Sequence, residues 1–135
     1  MTEENAFEWP ITIYYEDTDV GGIVYHANYL KFFERARTEL FRSHDVSLQA
    51  LFAQNVSFVV RHIEIDYLNG AKLDDRLVVR TWPEKIRRAS IEFCQVLVNN
   101  AGQTLCKAMV QVACVHPETM KPIQIPENIK SEISK

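Results

Sequence analysis

Apolar and polar residues alternate from Glu8 to Glu16, with Trp9, Ile11, Ile13 and Tyr15 on one face and Thr12 and Glu16 on the other, which is the period of a strand. The alternation stops at Asp17, and the segment from Asp17 to His26 reads as a loop. From about Ala27 to Ser43 the spacing becomes helical. Tyr29, Phe33, Ala36 and Leu40, flanked by Leu30, Phe32 and Phe41, form a wide apolar stripe. Lys31, Glu34, Arg35, Arg37 and Glu39 mostly take the other faces, where Glu34 and Glu39 read as ion-pairing partners of Arg35 and Arg37. So broad a stripe predicts a long helix buried against a sheet. A shorter helix follows from Ser47 to Gln54, with Ser47 as its cap.

Beyond Gln54 the period returns to two. Val59, Ile63, Ile65 and Tyr67 alternate with Val60, His62, Glu64 and Asp66, a second strand that ends near the turn dipeptide Asn69-Gly70. A third strand is predicted from Arg76 to Glu84, with Pro83 marking an edge or an end. The fourth covers Ala89 to Val98, and a hairpin turn at Asn99 to Gly102 leads into a fifth from Thr104 to His116. Pro117, Pro122 and Pro126 make the tail an extended surface segment. A strand, a long helix and then four strands predict an α+β fold in a single domain spanning residues 1–135, with a mostly antiparallel sheet wrapped around one central helix. The edge strands of such a sheet stay open, and a dimer that continues the sheet would close them.

Composition narrows the function classes. Hydrophobic residues make up 47% and charged residues 24% of the chain, a soluble globular balance, and a formal net charge of −3 disfavours nucleic acid as a partner. No apolar run approaches the ~20 residues of a membrane-spanning helix. The acidic start MTEENAFEWP lacks the basic and apolar regions of a signal peptide, so a cytoplasmic location is expected. Cys94, Cys106 and Cys114 are odd in number and without CxxC spacing, which suits buried free thiols and gives no metal site. His44, His62 and His116 are scattered and read as ordinary polar residues.

Chemistry concentrates in Asp17 to Tyr29, DTDVGGIVYHANY. Two carboxylates, a glycine pair and a histidine stand immediately before the helix, whose first amides have no intrahelical acceptor and can face a developing negative charge. Glycine permits backbone conformations that a side chain forbids. A carboxylate beside such amides is a candidate acid, base or nucleophile, and Asp19 takes that part. Loop aspartates before a helix also serve as turn formers and caps, the role expected of Asp17.

The stretch YYEDTDVGGIVYHANYLKFFERARTE, together with FVVRHIEIDYLNGAKLDD and VHPETMKPIQIP, resembles the hot-dog-fold acyl-CoA thioesterases of the 4-hydroxybenzoyl-CoA thioesterase type, especially their Tol-Pal-system-associated, YbgC-like branch. The resemblance implies a hot-dog fold whose two sheets join in a dimer, often within a homotetramer. It also implies active sites at the dimer interface and hydrolysis of acyl-CoA without metal or cofactor, coenzyme A being part of the substrate. Carried over by position, the family's catalytic aspartate is Asp19, serving as nucleophile or as general base, and its carbonyl-polarising helix amide is that of His26. The His26 side chain has an open role toward substrate or water. Tyr15, Gly22 and Tyr25 are expected to line the substrate site. Arg87 and Arg88 match the Arg pair that meets the phosphates of coenzyme A. Val20-Gly21-Gly22 and Tyr25-His26 depart from the benzoyl-specific enzymes, so an aromatic acyl group is not implied. The competing reading is a non-catalytic module of the same fold that binds acyl-CoA or acyl-carrier protein, and a third is a hot-dog dehydratase.

Overall fold

The computed structural model describes residues 1–135. Its elements are β1 (Phe7–Thr12), α1 (Asn28–Ser43), α2 (Leu48–Ala53), β2 (Ser57–Tyr67), β3 (Arg76–Ile86), β4 (Ser90–Val98), β5 (Thr104–Val115) and α3 (Glu127–Ile133). The strands form one antiparallel sheet in the order β1-β3-β4-β5-β2, so β1 and β2 are its edges. Helix α1 lies across one face and buries Tyr29, Phe32, Phe33, Ala36, Leu40 and Phe41. Opposite it stand Leu77 and Val79 of β3, Ile91, Phe93 and Leu97 of β4, and Val110 and Val112 of β5. Phe41 stacks on Phe58 at 5.4 Å and meets Phe93 edge-on at 6.1 Å. Each large side chain withdrawn from water in this way contributes about 2 kcal/mol. Ser47 caps α2 as its position predicts, accepting the Ala50 N–H at 3.1 Å.

The structure corrects the sequence reading in five places. First, β1 ends at Thr12 and a single 3-10 turn occupies Tyr15–Asp17. The Asp17 side chain accepts the Tyr14 N–H at 2.9 Å, which closes a turn inside what reads as strand alternation. Second, β3 runs past Glu84 to Ile86, while Pro83 does take an edge position, as the sequence predicts. Proline is tolerated there because β1 reaches only Thr81, leaving β3 paired on one side, and the register to β4 bulges between Pro83 and Lys85. Third, β2 bulges between Val60 and His62, so Val60 shares a face with Ile63 while Val59 turns to the other. Fourth, the tail is no surface strap. It ends in α3, whose Ile129 and Ile133 join Ile125 in the core, tied down by the Ile125 N–H to the Arg88 carbonyl at 2.8 Å. Fifth, Arg37 makes no surface ion pair. It is 8% exposed and donates to Gln95 Oε1 at 3.0 Å, while Gln95 Nε2 donates to the Phe33 carbonyl and Thr81 Oγ1, each at 2.9 Å. The ion pair at that end of α1 joins Arg42 to Glu39 instead.

Candidate active site

Between β1 and α1 the chain folds into a small hairpin. The Tyr25 N–H donates to the Asp17 carbonyl at 2.9 Å, Thr18 bridges Val24, and the Asp19 N–H donates to the Ile23 carbonyl at 3.0 Å. Val20, Gly21 and Gly22 make the three-residue tip, closed by the Gly22 N–H on the Asp19 carbonyl at 3.0 Å. Gly22 has a φ of +82°, a conformation that side chains disfavour, which accounts for glycine here. The hairpin is anchored to the segment before β3 by the Val24 N–H on the Ala71 carbonyl at 2.9 Å and by a bridge from Ile23 to Lys72.

The two aspartates have different surroundings. Asp17 is buried and both its carboxylate oxygens are engaged, one by the Tyr14 N–H at 2.9 Å and the other by Asn28 Nδ2 at 3.0 Å. It joins the hairpin to the first residue of α1. Asp19 is exposed, and only its Oδ1 has a protein donor, the Gly21 N–H at 2.8 Å. That bond fixes the carboxylate plane and leaves Oδ2 free for water or a ligand. A Cβ on Gly21 would stand 3.2 Å from Asp19 Oδ1, so the glycine also makes room for the carboxylate.

Helix α1 starts without a side-chain cap. The N–H groups of His26 and Ala27 donate to no acceptor within the chain. The Tyr25 carbonyl accepts from the Asn28 N–H at 2.8 Å. Because N–H and C=O oppose each other in a trans peptide, that bond turns the His26 N–H away from the helix. Two unpaired amides at the positive end of a 16-residue helix, one short hairpin away from a free carboxylate oxygen, form a site that can polarise a carbonyl.

The remaining predicted residues divide. Gly22 and Tyr25 belong to the hairpin beside Asp19, and the Tyr25 ring lies 4.6 Å from that of His26. Tyr15 is 81% exposed on the 3-10 turn, outside the strand face expected for it. Arg87 and Arg88 occupy the turn after β3, with Arg87 paired to Glu92 at 3.1 Å. The Asp19 hairpin is fastened near the start of β3 and the Arg pair follows its end. Eleven residues of extended chain, ~35 Å, separate the two. One copy therefore does not bring Asp19 and the Arg pair together. A cavity of about 890 Å³ lies between Ile23, the segment from Asn69 to Leu77 and the β4–β5 turn, and is lined by neither Asp19 nor His26. No group of His, Cys, Asp and Glu is arranged to hold a metal ion.

Two contributors escaped sequence reasoning. Asn28 stands inside the recognised stretch, but its hydrogen bond to Asp17 has no spacing signature. Tyr67, at the end of β2, donates its hydroxyl to the His26 carbonyl at 2.9 Å across 41 residues of sequence.

Residues 14–133 match the model of the thioesterase-like superfamily. The acyl-CoA thioester hydrolase YbgC of Escherichia coli is 48% identical over 126 residues, covering 93% of this chain and 94% of the relative. The acyl-CoA thioesterase YbgC of Haemophilus influenzae is 48% identical over 129 residues, covering 95% of this chain and 94% of the relative. Among solved structures, a 1,4-dihydroxy-2-naphthoyl-CoA thioesterase from Synechocystis superposes with a TM-score of 0.90 at 22% identity over 97% of both chains, a likeness of fold. With the antiparallel five-stranded sheet and its packed helix, these matches show that the chain belongs to the thioesterase-like hot-dog superfamily, in the company of the YbgC acyl-CoA thioesterases.

Proposed function

We propose that the protein hydrolyses acyl-CoA thioesters to a free acid and coenzyme A, with chemistry at the Asp19–His26 hairpin. The observation that carries this reading is the contrast between the aspartates: Asp17 has both oxygens bonded inside the fold, whereas Asp19 keeps Oδ2 free. Asp19 acts either by attacking the thioester carbon, giving a mixed anhydride that water then opens, or by taking the proton of an attacking water. The carbonyl oxygen gains negative charge in both routes. The His26 N–H, free of any intrachain acceptor, receives it, a contribution of roughly 3 kcal/mol when one such donor is compared with its absence. The departing thiolate needs little acid help, since an ordinary thiol has a pKa near ~8.5. Tyr15, Gly22 and Tyr25 are the proposed walls for the acyl and pantetheine portions.

The distance from Asp19 to Arg87 and Arg88 argues for a site shared between two copies. Strand β1 is short and carries Pro10, which blunts it, whereas β2 is an 11-residue edge without proline. Pairing β2 with β2 about a twofold axis brings the Arg-turn end of one sheet beside the Asp19 end of the other. Guanidinium groups suit the phosphates of coenzyme A there. We assign the protein as a homodimer or a homotetramer on this ground.

The deciding experiment follows thiol release from a panel of acyl-CoA thioesters. Wild-type protein is expected to turn over, and Asp19→Asn to lose at least about a hundredfold in kcat while keeping its melting temperature. A folded Asp19→Asn variant with near-full turnover excludes this mechanism. Tight thioester binding without turnover by the wild type establishes the non-catalytic acyl-CoA or acyl-carrier-protein module instead.

A further inference from the structure

The hydrolase reading uses the His26 amide but leaves unexplained what holds the peptide groups around it. The main chain from Tyr25 to Asn28 contains two peptide planes that matter. The Tyr25–His26 plane is held by the Asn28 N–H on the Tyr25 carbonyl at 2.8 Å. The His26–Ala27 plane has no main-chain bond on either side: its N–H, that of Ala27, has no acceptor in the chain, and no backbone amide reaches the His26 carbonyl. Its single hold is the Tyr67 hydroxyl, which donates to the His26 carbonyl at 2.9 Å.

Tyr67 is built to stay there. It is the last residue of β2, its ring meets Tyr29 at 5.4 Å and 70°, and it stands edge-on to the His26 ring at 6.2 Å. Tyr29 is fixed in turn, since it is buried in the core and its hydroxyl accepts the Ala71 N–H at 3.2 Å. Ala71 also anchors the hairpin, through its carbonyl on the Val24 N–H. The aromatic pair therefore ties the β2 terminus, the hairpin and the start of α1 into one unit. Burial pushes the Tyr67 phenol above its ordinary value, so the hydroxyl remains a donor throughout the neutral range.

We infer that Tyr67 is a positioning residue for thioester hydrolysis: its hydroxyl, by holding the His26 carbonyl, turns and polarises the His26–Ala27 peptide so that the Ala27 N–H joins the His26 N–H in facing the oxyanion. The physical basis has two parts. In a trans peptide, a donor on the carbonyl sets the direction of the opposite N–H. A hydrogen bond to the carbonyl also draws electron density from the amide, making its N–H the stronger donor. This inference rests on the hydrolase reading above and gives a part in the chemistry to a residue whose spacing marks it only as a strand position.

The test compares wild type with Tyr67→Phe, which keeps the ring and its contacts with Tyr29 and His26 while deleting the donor. The expected result is a fall in kcat on the order of tenfold, the scale of one neutral hydrogen bond, with KM held within about twofold. The amide nitrogen of Ala27, followed by NMR in the folded variant, is expected to shift upfield as its peptide loses that bond, with the rest of the spectrum retained. Tyr67→Leu, which removes the ring as well, is measured beside it and is expected to lose more in kcat and to lower the melting temperature. An unchanged kcat for Tyr67→Phe, or a rise in KM at constant kcat, overturns the inference, the second outcome making Tyr67 a substrate contact. Wild-type protein inert toward every thioester overturns the hydrolase reading itself. Active wild type with an indifferent Tyr67→Phe overturns this inference alone.

Discussion

Two carboxylates two residues apart stand in opposite surroundings, and what separates them is the number of donors each oxygen has met. Asp17 accepts from Tyr14 and Asn28 inside the fold, so its removal leaves two donors with lost partners at the joint between the hairpin and α1. Asp17→Ala is expected to destabilise the protein by roughly 2 kcal/mol, read as a lowered midpoint in urea. Asp19 is exposed and holds one amide, so Asp19→Asn should leave that midpoint almost unchanged while activity collapses. Equal destabilisation by the two substitutions would mean that Asp19 is a second structural acid. The DTD string itself was visible in the sequence, as was the suspicion that one acid is structural. Which oxygen stays free was not visible, because it depends on Asn28 and on the hairpin closing over Gly21 and Gly22.

At the scale of the elements, periodicity found α1 and all five strands, and it failed where a single residue changes phase. The bulge after Val60 moves that residue to the face of Ile63, an inversion that a strict count of two cannot foresee. The tail departs from its expected form for a related reason: Pro117, Pro122 and Pro126 signal an extended segment, whereas Ile125, Ile129 and Ile133, four residues apart, carry it into the core. Inside the sheet, Cys106 of β5 is fully buried, and burial, with Asp66 nearby, pushes its thiol from an ordinary 9.0 to about 12. Below pH 9.0 both folded and unfolded chains hold the proton, and this group has no effect on the pH dependence. From pH 9.0 upward the unfolded chain loses the proton first, so the folded state becomes less stable until the folded thiol also ionises near pH 12. Unfolding free energy measured from pH 8 to 11 should therefore decline more gently for Cys106→Ala than for wild type. Parallel declines would show that this thiol does not contribute. Cys94 and Cys114 are raised by burial in the same direction, which agrees with free, unreactive thiols.

For the whole molecule, the separation of Asp19 from Arg87 and Arg88 by the length of β3 gives a test of the shared site. A protein carrying Asp19→Asn and another carrying both Arg87→Ala and Arg88→Ala should each be poor at low acyl-CoA concentration. Subunits exchanged at random should recover activity to about a quarter of wild type, because half of the mixed dimers are hybrids and each hybrid rebuilds one intact site. Recovery that fails despite proven exchange would put each complete site within one chain. The cavity of about 890 Å³ in the single chain meets the hairpin at Ile23 and is lined by neither Asp19 nor His26, as expected if the cleft beside Asp19 is completed by a second copy.

The sequence by itself determined what short-range patterns encode: a helical stripe that must be buried, strands of period two, an acidic loop with a glycine pair ahead of the long helix, and a motif held in common with thioesterases. These follow from residue spacing, which local sterics and hydrophobic burial convert directly into elements. Only the tertiary structure decided that Asp17 is saturated and Asp19 is not, that Gln95 satisfies a buried Arg37, that a tyrosine 41 residues away grips the His26 carbonyl, and that the Arg pair stands a strand's length from the acid. Each of these depends on hydrogen-bond partners or distances between residues far apart in the chain, and no local period records which groups will meet once the sheet has closed against its helix.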